Sequence, residues 1–127
     1  YAVAPKIIIN VDHEEDAAEA LRFTIEEGGY EVVTATDIED ATAKAAEGKF
    51  DATVLDLPMT ELSRLEVAKK LEADPLTALP IVLLTELEEE IVRKQFTGYD
   101  QFVSKEADLE ELLKQLALAI DTVARVH

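Results

Sequence analysis

Four apolar stretches of the sequence are each followed by a polar side chain of a type that takes part in catalysis. These side chains are Asp12 with its neighbour His13, then Asp56, Thr85 and Lys105. A carboxylate nucleophile, a second acid, a hydroxyl and an ammonium suit phosphoryl transfer, because that reaction depends mainly on positioning and charge neutralisation. In such a site Asp56 would attack phosphorus and become an aspartyl phosphate, while Thr85 and Lys105 would bind the phosphoryl oxygens.

Each of these residues also has an ordinary structural interpretation when it is considered alone. Asp56 ends the apolar run 52–55 and precedes Pro58, so its carboxylate could simply cap a turn. Thr85 could be the N-cap of a helix, and Lys105 could be a surface charge. The functional interpretation therefore depends on whether the fold brings these residues to one place.

The spacing of apolar residues predicts five strands that alternate with five helices. The predicted strands cover residues 6–11, 31–35, 52–56, 81–84 and 101–103. The run 52–55 shows no polar alternation, which is typical of a parallel strand covered on both faces. We therefore expect an α/β fold with helices on both faces of a parallel sheet, in which the carboxyl ends of the strands meet at one edge. That edge would collect the polar side chains named above.

Helix starts are predicted from capping-box spacing, in which a polar residue is followed three positions later by an acid. The pairs are Thr36 with Glu39, Ser63 with Glu66, Thr85 with Glu88, and Asp108 with Glu111. Apolar residues at helical spacing predict the inward faces of the helices. In chain order these residues are Ala17, Leu21 and Ile25; Ile38, Ala41 and Ala45; Leu62, Leu65, Ala68 and Leu71; Leu87, Ile91 and Phe96; and Leu109, Leu112, Leu113, Leu116, Ile120 and Val123.

Size and composition limit the classes of protein to consider. A chain of 127 residues suits one domain, expected to span 1–127 with its core at about 6–118. With no cysteine, the chain has neither a disulfide frame nor a thiolate zinc site. A formal net charge of −16 opposes binding to nucleic-acid phosphates and anionic lipids. No apolar run approaches the roughly 20 residues that cross a bilayer, so we expect a cytoplasmic protein without direct nucleic-acid or membrane contacts.

The order of these residues resembles the receiver domain of bacterial response regulators, from Lys6 to about Leu118. In that family an acid pair follows the first strand, and Asp12-His13 stands at this place. The phosphoacceptor position at the end of the third strand falls on Asp56, the Thr or Ser position on Thr85, the Lys position on Lys105 in Val103-Ser104-Lys105, and the aromatic switch position on Phe102. The combined set of positions is specific, although no single motif is.

The resemblance implies a fold, a cofactor and partners. The fold would be a flavodoxin-like five-stranded parallel sheet of strand order 2-1-3-4-5 with five helices on its two faces. The cofactor would be Mg²⁺, with Asp12, Asp56 and the backbone carbonyl of Pro58 as ligands. A histidine kinase or phosphotransfer protein would supply the phosphoryl group, and a downstream protein would bind the switched face; a homodimer stays open. We expect no enzyme activity beyond self-phosphorylation and slow autodephosphorylation.

The sequence departs from the family at four positions. His13 replaces the second acid, Thr60 and Arg64 replace a usual Pro and Gly after the phosphoacceptor, and Glu106 replaces the Pro after the Lys. Because Mg²⁺ prefers oxygen ligands, His13 should weaken its binding, and an imidazole ligand would favour Mn²⁺ or a later transition ion. Alternatively, His13 turns away and packs against or caps the first helix.

Three hypotheses for the function follow. The first is a phosphoryl-accepting switch in which Thr85 and Phe102 move together and change a docking face. The second is a receiver-like interaction module that works without phosphorylation, favoured by His13 and Glu106. The third is an FMN carrier or small phosphatase, opposed by the acidic loop 13–16 and by the lack of a second acid two residues after Asp56.

Overall fold

The protein is a five-stranded parallel sheet with helices on both faces. The computed structural model describes residues 4–71 and 74–126, with side chains described for 4–70 and 74–122. The strands are β1 (Ile7–Asp12), β2 (Glu31–Ala35), β3 (Ala52–Asp56), β4 (Ile81–Thr85) and β5 (Gln101–Ser104). The helices are α1 (Glu15–Glu27), α2 (Ile38–Glu47), α3 (Met59–Leu71), α4 (Glu89–Arg93) and α5 (Leu109–Val126). The strand order β2-β1-β3-β4-β5 confirms the predicted flavodoxin-like α/β fold.

Each face of the sheet carries its own hydrophobic cluster, because successive residues of a strand point to opposite faces. On one face Ile9 and Leu55 pack with apolar side chains of α2, α3 and α4. On the other face Ile8 and Val54 pack with apolar side chains of α1 and α5. Burial on both faces explains why the run 52–55 shows no polar alternation.

The carboxyl ends of the strands form the edge at which the predicted site residues meet. Asp12 and Asp56 are the last residues of β1 and β3, and the two are partners in the register of this strand pair. Thr85 ends β4 and is the register partner of Ser104, the last residue of β5. Parallel pairing therefore aligns the strand ends, as the sequence predicted.

Two of the predicted helix caps differ in outcome. The N-cap of α2 is Asp37, one residue after the predicted Thr36, and its carboxylate accepts a hydrogen bond from the Asp40 amide at 2.8 Å. The prediction was wrong because the backbone turns into the helix one residue later, where an aspartate can cap equally well. For α5 the prediction is confirmed, since the Asp108 carboxylate accepts from the Glu111 amide at 3.0 Å.

The predicted caps of α3 and α4 are both wrong. Helix α3 begins at Met59, so Ser63 lies inside the helix, where its hydroxyl donates to the Met59 carbonyl at 3.0 Å. Pro58 favours this early start, because proline is tolerated at the beginning of a helix. Helix α4 begins at Glu89, and the Thr85 hydroxyl instead accepts from the Leu87 amide at 3.1 Å.

The described residues of the predicted inward faces are buried or half-buried, with three exceptions. Ala17 is exposed and the adjacent Ala18 is buried, so the inner face of α1 is rotated by one residue. Leu87 precedes α4 and is 39% exposed, and Ile91 is 46% exposed because α4 turns Val92 toward the core instead. The side chains of Leu71 and Val123, and Tyr1, lie outside the described residues.

Candidate functional site

The centre of the candidate site is an ion pair between the third strand and the residue that follows the fifth. Lys105 Nζ lies 2.7 Å from Asp56 Oδ1. The backbone sets this geometry, because the Lys105 amide donates to the Thr85 carbonyl at 2.8 Å and so fixes the end of β5 beside the end of β4. A cation is therefore directed at the carboxylate predicted as the nucleophile.

Burial and charge change the proton affinity of both partners in this pair. Burial raises the pKa of Asp56 above its ordinary value; Lys105 lowers it and the neighbouring Asp12 charge raises it, so the net direction is upward. For Lys105, burial lowers the pKa, but the hydrogen bond and charge of Asp56 outweigh burial and raise it overall. Burial is therefore the main cause of the raised pKa of Asp56, and the Lys105 ammonium does not reverse it.

Asp12 is the most deeply buried carboxylate of the site, with 5% of its surface exposed. Its Oδ1 accepts a hydrogen bond from the Glu14 amide at 2.9 Å, which positions the side chain at the start of α1. Its Oδ2 is buried and has no hydrogen-bond partner in the described structure. A buried carboxylate oxygen without a partner, next to a second carboxylate, suits a hard cation that binds through oxygen.

The predicted residues surround one open pocket at the strand edge. Its volume is about 420 Å³. Among the residues that line it are Asp12, His13, Asp56, Pro58, Thr85 and Lys105. The structure therefore brings together every predicted site residue except Phe102.

His13 lies at the mouth of this pocket and faces α3. Its Nε2 is 3.8 Å from Oε1 of Glu61, in the first turn of that helix. The part of the chain that the structure describes contains no group of three or more His, Cys, Asp or Glu side chains with metal-binding geometry. The carboxylates of Asp12 and Asp56, which lie side by side at the ends of β1 and β3, provide oxygen donors for a cation.

The Pro58 carbonyl, predicted as a metal ligand, is already hydrogen-bonded to the first turn of α3. It accepts hydrogen bonds from the amides of Glu61 at 3.0 Å and Leu62 at 3.2 Å. This follows from the early start of α3, which also places Arg64 inside the helix, where its guanidinium pairs with Glu39 of α2. Any cation at the pocket would compete with two amides for this oxygen.

Thr85 has the hydrogen-bonding capacity that its predicted role requires. Its hydroxyl oxygen accepts from the Leu87 amide, which leaves the hydroxyl hydrogen available for donation. Thr85 lines the same pocket as Asp56 and Lys105. The capping interpretation and the phosphoryl-binding interpretation of this residue are therefore compatible.

Phe102 lies outside the pocket and on the face of the sheet that α3 and α4 cover. It is half-buried, pairs with Leu83 in the strand register, and its ring centroid is 5.8 Å from that of Tyr99. Sequence reasoning missed Tyr99 and Glu61. Neither has a signal in the sequence. Glu61 meets His13 from a distant segment, whereas Glu89 and Arg93 are near Tyr99 in the chain but at no spacing that predicts the contact.

No helix in the described part of the chain is long and apolar enough to cross a membrane.

Comparison with known proteins identifies the family. The model of the response regulator receiver domain matches residues 8–117. The alkaline phosphatase synthesis transcriptional regulatory protein PhoP of Bacillus subtilis is 38% identical over 102 residues, which cover 79% of this chain and 42% of that protein. The phosphate regulon transcriptional regulatory protein PhoB of Pseudomonas aeruginosa is 32% identical over 114 residues, covering 87% and 50%. The chain thus spans about half the length of these relatives or less.

Solved structures agree on the fold. The chemotaxis protein CheY4 of Vibrio cholerae superposes with a TM-score of 0.72 at 23% identity, covering 91% of this chain and 99% of that one. A putative response regulator from Chloroflexus aurantiacus gives a TM-score of 0.73 at 23% identity, covering 93% and 99%.

The fold and the acidic pocket define a phosphoryl-accepting signalling domain as the class. The chain belongs to the response regulator receiver domain family, as the resemblance of its motifs predicted. It is a receiver domain of the two-component response regulators, whose receiver domains are phosphorylated on aspartate. Receiver domains generally bind Mg²⁺ at the acidic pocket and interact with histidine kinases and downstream effectors.

Proposed function

We propose that Asp56 is the phosphoacceptor of this receiver domain. The observation that carries the proposal is the 2.7 Å pair between Asp56 and Lys105, beside the register partner Asp12. No other acid in the described structure combines the end of a central strand, a direct Lys partner and a pocket open to a phosphodonor. A histidine kinase or phosphotransfer protein would be the donor, and 1–127 would act as a single domain.

In the transfer, an oxygen of Asp56 forms a bond to phosphorus while the bond from phosphorus to the donor histidine nitrogen breaks. The electron pair leaves with the imidazole. Lys105 exchanges its carboxylate partner for a phosphoryl oxygen and offsets the added charge as a point cation. Thr85 donates its hydroxyl hydrogen to a second phosphoryl oxygen.

A divalent cation fits the carboxylates of Asp12 and Asp56, and the unpartnered Oδ2 of Asp12 supports this fit. When bound, Mg²⁺ would supply neutralisation of phosphoryl charge at these oxygens. With His13 facing Glu61, the chain offers fewer oxygen ligands than an acid pair would. Metal binding should therefore be weak, with Mn²⁺ as an alternative ion.

The outcome of phosphorylation would be a changed docking face around α4, β5 and α5. Thr85 would follow the phosphoryl group, and Phe102 on the adjacent strand would change its ring position. A downstream protein would distinguish the two states. The interaction module that works without phosphorylation is not favoured, because Asp56, Thr85 and Lys105 all line one pocket.

The test is intact mass after incubation with acetyl phosphate and Mg²⁺ or Mn²⁺. We expect one labile phosphoryl group on the parent chain and none on Asp56→Asn. The exposed Asp16→Asn on α1 is the matched control and should be labelled like the parent. A full adduct on Asp56→Asn would refute the assignment.

A further inference from the structure

Tyr99, just before β5, carries a hydrogen-bond network to α4 that the phosphorylation site does not use. Its hydroxyl donates to Glu89 Oε2 at 2.7 Å and accepts from Arg93 Nε at 3.1 Å. Arg93 Nη2 also lies 3.4 Å from the same Glu89 oxygen. The three side chains close a ring that ties the segment entering β5 to α4; we call it the Tyr99 latch.

The ring of Tyr99 packs between two other aromatic rings. Its centroid is 6.0 Å from that of Phe96 and 5.8 Å from that of Phe102, with tilted planes in both pairs. Phe96 is fully buried and is held by the core on all sides, whereas Phe102 is only half-buried. Of these two rings, Phe102 is the one that is partly open to solvent, and Tyr99 lies against it.

The short strand β5 joins this aromatic stack to the candidate phosphoacceptor. Lys105 follows the last residue of β5 and holds Asp56, while Tyr99 lies two residues before its first residue. The strand therefore has a polar attachment at each end, one to the acidic pocket and one to α4. Phe102 lies between the two attachments.

We propose that Tyr99 is a positioning residue for Phe102. While Lys105 is paired with Asp56, the Tyr99 latch holds the Tyr99 ring against Phe102 and keeps Phe102 on the core cluster. Release of the latch allows Phe102 to take its second position. This inference rests on the proposed function, in which Phe102 is the signalling aromatic.

The physical reason is that a tyrosine ring can move aside only if its hydroxyl leaves its partners. The two hydrogen bonds are partly solvent-exposed, so each contributes modestly to the balance between the two ring positions. Loss of the hydroxyl should therefore raise the ratio of the second position to the first by about three- to tenfold. Because coupling between sites is reciprocal, ligands of Asp56 should bind more tightly by a similar factor.

The experiment compares the parent chain with Tyr99→Phe, which keeps the ring and removes only the hydroxyl. Para-fluorophenylalanine is incorporated at position 102 alone, so the fluorine NMR signal is that of Phe102 and the side chain at position 99 carries no fluorine. Tyr30→Phe is the matched control, since Tyr30 packs against the other cluster, on the opposite face of the sheet. Glu89→Gln is a second variant that weakens the same network without changing an aromatic side chain.

In the chain without phosphate, Tyr99→Phe and Glu89→Gln should raise the second Phe102 signal, and Tyr30→Phe should not. Beryllofluoride with Mg²⁺, used as a phosphoryl analogue, should bind Tyr99→Phe about three- to tenfold more tightly than the parent. An unchanged Phe102 signal in Tyr99→Phe overturns the inference. A changed signal in a chain whose Asp56 accepts neither beryllofluoride nor a phosphoryl group would instead support the latch and refute the proposed function.

Discussion

The acidic pocket and the Tyr99 latch both contain charged side chains. The charges are incompletely paired in the pocket and fully paired in the latch. In the pocket, Asp12 and Asp56 are largely buried, Lys105 pairs with Asp56, and Oδ2 of Asp12 has no hydrogen-bond partner in the described structure. In the latch, the acid, the phenol and the guanidinium are all hydrogen-bonded and reach solvent. The pocket is therefore a place where added positive charge or lost negative charge should matter, whereas the latch is already neutralised.

This difference assigns the two regions different parts in signalling. Unsatisfied buried charge gives the pocket affinity for a cation and makes its acids respond to a chemical change. A solvated, satisfied network contributes little to folding but selects between two positions of a neighbouring ring. The predictions below change the charge in one region or the other, from the largest expected effect to the smallest.

Lys105→Met should slow phosphorylation of Asp56 by about a hundredfold, because the cation that stabilises the transferring phosphoryl group is removed. The rate is measured by intact mass with acetyl phosphate and divalent metal. Lys70→Met, on the exposed face of α3, is the control and should be phosphorylated at the parent rate. Equal rates for Lys105→Met and the parent would show that the pocket does not depend on its one cation.

His13→Asp should strengthen Mg²⁺ binding by about tenfold or more, because it restores a hard oxygen ligand and a negative charge at the mouth of the pocket. Isothermal titration gives the affinity. His13→Asn adds an oxygen without the charge and should give a smaller gain. Equal affinity in the parent and His13→Asp would contradict the argument and would mean that Asp12 or Glu14 already supplies the missing oxygen.

Asp56→Asn should raise the free energy of unfolding on the order of 1 kcal/mol at neutral pH without metal, because it removes a charge that burial and the neighbouring Asp12 both disfavour. The folded-state pKa of Asp56 is raised by burial and Asp12, so the native state of the parent binds more protons than the unfolded state in the window above the ordinary aspartate pKa. Parent stability therefore falls as pH rises through that window. Urea unfolding in EDTA should give equal free energies of unfolding for the two chains in acid. The two values should diverge as the pH rises above the ordinary aspartate pKa.

Asp40 provides a matched control, because its contribution to stability should change with pH in the opposite direction. The Thr36 amide, with help from Lys44, lowers the pKa of Asp40, so its contribution is present above the ordinary aspartate pKa and is lost as pH falls. Asp40→Asn should therefore be less stable than the parent at neutral pH and equal to it in acid. The same sign for both variants would contradict the conclusion that the charge of Asp56 is disfavoured in the pocket.

Arg93→Gln should leave the midpoint of urea unfolding unchanged within error, because this guanidinium is 67% exposed and surface ion pairs contribute little. The same variant should still raise the second Phe102 signal, because it removes one of the bonds to the Tyr99 hydroxyl. A clear loss of stability would show that the latch is part of the structural core, and the contrast with the pocket would fail.

Sequence reasoning worked best where the physics is local. The strands were placed to within a residue or two, because uninterrupted β-branched runs favour buried strands. The difference lies at the ends, where Asp12, Thr85 and Ser104 join their strands. The Asp108 cap also follows from neighbours in sequence.

The orientation of α4 and the early start of α3 were not predicted from the sequence. Ile91 has helical spacing and hydrophobicity suited to a core, but α4 is short and presents Val92 to the sheet. Helix α3 begins at Met59, and amides of its first turn donate to the Pro58 carbonyl, which capping-box spacing did not indicate. Both outcomes depend on how a helix docks, which spacing alone does not specify.

The sequence by itself determined the fold class and the set of residues that meet at the strand edge, because parallel alternation places all carboxyl ends together. Only the tertiary structure decided that His13 faces Glu61, that Asp12 keeps a buried oxygen without a partner, and that Tyr99 joins α4 to the stack beside Phe102. The reason is that these features depend on how separate elements pack together, even where the elements are neighbours in the chain, as for Tyr99 and α4. Their geometry depends on side-chain direction and burial, which are set when helices pack on the sheet.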